Sequence, residues 1–256
     1  MTVVMSAAIL ALLTAVMVGT AFLSGIFGMA GGLILIGVLL AALPLPAAML
    51  LHAVTQMASN VWRAALWIRF VKWRAVAVFL CGSALAFGLW SVWRYVPSTP
   101  VAFILLGFSP FCVRLLPPRL RPDPLKLRYG VPFGAACMGL MLLTGVTGPL
   151  IDTYFLSGGL DRRAIVATKS ACQVVSHLLK LVYFGALIQG ASSIDGLAAA
   201  LAVGASVIGT SAARPVLARL TDTQYRRWSN HIVTSIGIGY LATGSWMLLH
   251  SGTLER

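Results

Sequence analysis

Two sets of polar residues in this chain share one spacing. The first is His52, Gln56, Ser59 and Arg63, and the second is Lys169, Gln173, Ser176 and Lys180. The steps are four, three and four in both, which puts each set along one face of a helix. Cations, imidazole and amides lined up in this way can hold a small anion, and two such faces in apolar helices suggest a binding site between duplicated halves of a membrane protein. A shift of 117 residues pairs His52 with Lys169, Gln56 with Gln173, Ser59 with Ser176, Asn60 with His177 and Arg63 with Lys180. The glycines upstream pair at a slightly different shift, Gly25 with Gly145 and Gly28 with Gly148.

The segments that carry these faces are almost wholly apolar. Hydrophobic residues make up 59% of the chain, charged residues 10%, and mean hydropathy is +0.92, values that a soluble domain of 256 residues does not show. No stretch is polar enough for a separate soluble domain, so residues 1–256 read as one polytopic membrane domain. Met1 to Ser24 has no basic residues ahead of a long apolar run, and the first Lys or Arg is Arg63. It reads as a first span rather than a signal peptide.

Hydrophobic segments fall at about 3–24, 26–43, 47–68, 75–94 and 98–116, then at 128–146, 148–158, 163–186, 194–213 and 229–250. The loop 117–127 between the two groups holds Pro117, Pro118, Pro122 and Pro124 among several bases, a hinge between repeat 1 (1–116) and repeat 2 (128–256). The net charge of +13 sits in short loops around Arg69–Arg74, Arg114–Arg128, Arg162–Arg163 and Arg214–Arg227. That is the pattern of cytoplasmic loops, not of a nucleic-acid binder. With all of these inside and both termini outside, five segments per half make an inverted repeat. The segments at 26–43 and 148–158 are glycine-rich or too short to span, and read as broken or re-entrant helices. The expected fold is thus an all-α integral membrane protein of two inverted repeats.

Three features bear on a site. Gly25, Gly28, Gly31 and Gly32, with Gly145 and Gly148, either bring backbone N–H groups up to an anion or let helices pack closely. Asp152 is the one acid expected at membrane depth; it either carries a coupling proton, pairs with Lys169 or caps a half-helix. His52 and His177 titrate near neutral pH or serve as hydrogen-bonded packing residues. The stripe residues Arg63 and Lys180 either face the site or snorkel to an interface. Cys81, Cys112, Cys137 and Cys172 have no metal-ligand spacing and read as small core residues. No catalytic constellation is present, so an enzyme is not expected.

The blocks Gly25-x-x-Gly28-x-x-Gly31-Gly32, Trp73-Arg74, Gly145-Val-Thr-Gly148-Pro149 and Leu160 through Lys169, with Gln173, His177 and Lys180 downstream, resemble the TauE/SafE family of membrane permeases, the sulfite exporter family. The resemblance covers both halves. It implies a secondary transporter of small sulfur-containing anions, such as sulfite or organosulfonates, in the bacterial inner membrane. The site expected on these grounds comprises Gly28, Gly31, Gly32, His52, Gln56, Ser59, Arg63, Gly148, Lys169, Gln173, His177 and Lys180, with Asp152 as coupling candidate. The expected partners are a small anion and membrane lipid, with homo-oligomerisation left open. Neither cofactor, metal nor nucleic acid is expected. The rival reading is a membrane scaffold or assembly subunit whose stripes only glue helices together.

Overall fold

The computed structural model describes residues 6–28, 30–112, 123–156, 159–187 and 195–251. Met29 and the 117–122 part of the hinge loop lie outside them. Ten α-helices follow in order among the described residues: α1 (Ala7–Phe27), α2 (Ala30–Ala42), α3 (Leu45–Leu66), α4 (Trp73–Trp93), α5 (Thr99–Cys112), α6 (Gly130–Thr144), α7 (Gly148–Leu156), α8 (Arg162–Val182), α9 (Gly196–Arg219) and α10 (Asp222–Ser251). A π-helical turn, Tyr183–Leu187, extends α8. Six helices are long and apolar enough to cross a membrane, and the described residues hold no strand. The chain is an all-α, multi-pass membrane protein. Its exposed large side chains, among them Leu85, Val92, Ile208 and Leu249, suit a lipid surround rather than water.

Local sequence explains the helix ends. The Ser6 hydroxyl accepts the Ile9 N–H at the start of α1, and Asp161 accepts the N–H groups of Arg163 and Ala164 at the start of α8, the usual role of Ser and Asp at a helix start. Pro46 sits in the first turn of α3, where its missing N–H is no loss. Apolar runs alone understate several helices. α9 continues through Arg214 to Arg219, and α10 begins at Asp222 rather than 229, because basic and polar ends remain helical after hydropathy has fallen. The break expected at residue 26 comes later: α1 runs to Phe27 and stops at Gly28.

The two short segments are helices of 13 residues (α2) and nine residues (α7). At a rise of 1.5 Å per residue they reach only about 20 Å and about 13 Å, too short for a hydrocarbon core of roughly 30 Å. α3, by contrast, has the length to span, at 22 residues. Its polar stripe is what lowers its hydropathy.

Helix directions follow from residue contacts. His52 meets Lys180 and Trp67 meets Arg163, so α3 and α8 run antiparallel. Gly107 lies against Leu241, and Gly244 against Ile104, so α5 and α10 do too. α1 and α9 run parallel, with Gly209 against Ala21 and Gly25 against Ala213. α4 and α6 are likewise parallel, with Gly130 on Val78 and Gly82 on Ala135. These seams are close because glycine removes the side chain at the crossing: a Cβ on Gly82 would strike the Val131 carbonyl, and one on Gly134 the Phe79 carbonyl.

The basic loops gather at one end of the bundle. The guanidinium of Arg163 lies 5.5 Å and that of Arg214 5.8 Å from the Trp67 ring. The Lys72 backbone N–H donates to Thr168 Oγ1 at 3.0 Å. Arg162 pairs with Asp222 at 2.9 Å, and Arg226 donates to the Leu156 and Leu160 carbonyls, linking the end of α7 to the residues just before α8. Pro124, Leu125 and Leu127 line a groove with Val71–Ala75 at this same end.

Candidate anion site

α3 and α8 turn their stripes inward, against each other. His52, Ser59, Lys169, Ser176 and Lys180 are wholly buried, Arg63 and His177 are 1% exposed, and Gln56 and Gln173 are each 4% exposed. Snorkelling is thereby excluded for Arg63 and Lys180. Because the two helices are antiparallel, the stripes form two polar centres: His52 with Lys180 at one end, Arg63 with Lys169 at the other. His52 and Arg63 are eleven residues apart, about 16 Å along the helix.

In the first centre, Lys180 Nζ donates to the Gly145 carbonyl at 2.8 Å and lies 3.0 Å from His52 Nδ1. His52 Nε2 lies 2.9 Å from the Gly32 carbonyl. That oxygen can only accept, so Nε2 carries the proton and Nδ1 is the acceptor for Lys180. The His177 ring is tilted against that of His52 at 5.6 Å.

In the second centre, Arg63 donates from Nη1 to the Gly28 carbonyl at 3.0 Å and from Nη2 to Ser59 Oγ at 2.9 Å. Ser59 is in turn 2.8 Å from Thr210 Oγ1 on α9. Lys169 forms an ion pair with Asp152 of α7, one of the three roles the sequence leaves open for that acid. Asp152 is the one buried carboxylate among the described residues.

Gly28 and Gly145 share one setting. Each ends a helix with positive φ, +82° and +83°, and each backbone N–H closes on the carbonyl four residues back at 2.8 Å. Each carbonyl is then taken by the stripe cation 35 residues further on. They are 117 residues apart, the stripe's own shift. The pairing of Gly28 with Gly148 expected from the sequence is therefore replaced by Gly28 with Gly145. Positive φ is costly for any residue with a Cβ, and a Cβ on Gly28 would overlap the Lys169 ammonium.

Gly31, Gly32 and Gly148 are buried too. Gly31 packs on the α1 backbone at Thr20, a helix contact, whereas Gly32 faces the Gln56 amide, 3.0 Å from where its Cβ would stand. Between the two centres lie polar atoms with no partner among the described residues: Gln56 Nε2, Asn60 Oδ1, Gln173 Oε1 and His177 Nδ1. Buried polar atoms rarely go unpaired without a ligand or water to meet them. Thr210 and Ser206 complete the α9 side, Ser206 Oγ donating to the Thr55 carbonyl at 2.8 Å. Sequence reading passed over both; their step of four on an apolar helix is the signal that would have found them.

A family model described as Sulfite exporter TauE/SafE matches residues 11–240, nine-tenths of the chain. The chain belongs to the TauE/SafE family. This is a family of membrane transporters for sulfur anions such as sulfite. No curated protein and no solved structure matches the chain significantly. The residues that carry the TauE/SafE resemblance have structural work here: Asp161 caps α8, Arg162 ties it to α10, Arg163 stacks over Trp67 and Phe70, and Lys169 holds Asp152.

Proposed function

We propose that the chain is a secondary transporter of small sulfur-containing anions, sulfite or an organosulfonate, working by alternating access around a site between α3 and α8. The observation that carries this reading is the charge imbalance of the buried core. Three basic side chains, Arg63, Lys169 and Lys180, are buried with one carboxylate, and Asp152 is taken by Lys169. Among the described residues, Arg63 and Lys180 are hydrogen-bonded by backbone carbonyls and neutral side chains alone. A buried guanidinium that must share the one nearby carboxylate with Lys169 is expensive, and an anion resting between the centres supplies the missing charge. The unpaired amides of Gln56 and Gln173 and the His177 ring would meet its remaining oxygens.

Two inverted repeats, α1–α5 and α6–α10, support the mechanism. Exchanging the halves turns the α1–α9 seam into the α6–α4 seam and leaves the pairs α3–α8 and α5–α10 in place. Helices that would be equivalent, α3 with α8 and α5 with α10, run in opposite directions. By the positive-inside rule the basic end then faces the cytoplasm.

Thermal stabilisation of the purified protein tests the proposal. Sulfite or a sulfonate at about a hundred times its Kd should stabilise by about 2.7 kcal/mol, and an equal concentration of chloride should not. If no sulfur anion stabilises the protein or crosses a reconstituted bilayer, the stripes are helix glue and the chain is a scaffold.

A further inference from the structure

Lys180 has a set of partners that fits an amine better than an ammonium. A neutral amine has two N–H donors and an ammonium has three. Among the described residues two acceptors surround Lys180 Nζ, the Gly145 carbonyl and His52 Nδ1. The His52 bond to the Gly32 carbonyl puts a proton on Nε2 and leaves Nδ1 as the acceptor facing Lys180. The third N–H of an ammonium has no acceptor in this arrangement, and an ion at this depth has no carboxylate beside it. Arg63, at the equivalent place in the other stripe, cannot lose its proton. The two halves thus differ in one chemical respect: one cation is permanent and the other can be made and unmade.

We propose that Lys180 is the proton-binding site that couples anion transport to protons, a reading that rests on the anion site proposed above. The unliganded protein holds Lys180 as the amine. The anion enters together with one proton, which adds to the amine nitrogen; the new third N–H donates to an anion oxygen. The loaded site has gained one positive and one negative charge, so the translocated complex adds no net charge. On the far side the anion and the proton leave together and the amine is restored. Asp152, the coupling candidate named from the sequence, is committed to Lys169. The other ionisable groups that act on Lys180 are His52 on α3 and His177 on its own helix; α2 carries none, and the Cys137 thiol of α6 faces Cys172 instead. Arg63, Lys169 and Asp152 belong to the opposite end of the stripes.

The test uses ethanesulfonate, which stays ionised throughout the working range, so any proton moved is the protein's. The full-length protein in weakly buffered detergent, mixed with ethanesulfonate in the presence of a pH indicator, should take up about one proton per anion bound. In proteoliposomes, an inward proton gradient should drive ethanesulfonate uptake that clamping the membrane potential leaves unchanged. Lys180→Arg should bind ethanesulfonate with no proton uptake and should exchange it across the bilayer without accumulating it. Binding to the unsubstituted protein without proton uptake overturns the coupling and leaves the anion site standing, and this measurement needs no variant to fold. Proton-driven accumulation by Lys180→Arg removes Lys180 as the carrier. Should ethanesulfonate, like sulfite, neither bind nor move, the anion site itself fails, and the coupling with it.

Discussion

The ion pair of Lys169 with Asp152 gives the sharpest test of how the core is held. Lys169 is wholly buried and the Asp152 side chain is 3% exposed, so neither charge has water to fall back on. Removing one partner of such a pair costs about 3–5 kcal/mol, because the other charge is left behind uncompensated. Lys169→Met keeps the length and apolar stem and should lower stability by that amount, a fall in Tm of roughly 6–20 °C if the scaling for 150–250 residues carries over. Asp152→Asn should be nearly as harmful, since it leaves the Lys169 ammonium uncompensated beside Arg63. Lys169→Met with Asp152→Asn removes the pair without residual charge, and should recover most of the loss. The assay is thermal unfolding of the three purified variants in one detergent, with ethanesulfonate binding measured alongside. The pair is neutral as a whole, so the double variant should bind within a few-fold of the original. A Lys169→Met protein as stable as the parent, or a double variant no better than its singles, would refute the reasoning. Anion binding lost in a stable double variant would put Lys169 back in contact with the substrate.

Further outcomes follow from other contacts. Arg63→Gln should fold but bind ethanesulfonate at least tenfold more weakly, since it removes the permanent charge while an amide still reaches for the Gly28 carbonyl; equilibrium binding checks this. Gly28→Ala and Gly145→Ala should each lose about 1–2 kcal/mol of stability to the positive φ alone, with further loss where the new Cβ meets Lys169 or Met49. Gly134→Ala should destabilise by driving a Cβ into the Phe79 carbonyl, whereas Gly139→Ala, with nothing within 4 Å, should gain up to about 1 kcal/mol; thermal melts separate the two. Single cysteines at Arg69 and Arg128 should react with an impermeant reagent from the cytoplasmic side and one at Ser98 from the opposite side, in a background without native cysteines.

Much of this architecture was legible because lipid restricts what an apolar chain can do. A polar residue inside a spanning helix stands out, so the stripes from His52 to Arg63 and from Lys169 to Lys180 declared both the helices and their inward faces. The short α2 and α7 showed themselves by length and glycine content. Contacts across the chain were not legible. Nothing in the spacing says that Lys180 meets His52, 128 residues away, or that Ser59 reaches Thr210. The glycines were mispaired because Gly25, Gly28, Gly31 and Gly148 offer several registers, and only a positive φ distinguishes Gly28 and Gly145 from the rest. Helix ends such as Arg214–Arg219 were cut short because charge lowers hydropathy without breaking a helix.

The glycine seams carry a mechanical consequence. α1 is welded to α9 and α4 to α6, backbone against backbone, and each weld joins a helix encoded before the 117–127 loop to one encoded after it. Close-packed surfaces of this kind slide poorly, because any shift drives small residues into carbonyls. The parts that can move against each other are therefore not the two lengths of sequence but two composite blocks, each built from both. Severing the chain in the loop would leave each block without half its material, so the two fragments should have to be made together to yield a working protein. The covalent link contributes order of synthesis, and the seams contribute the machine.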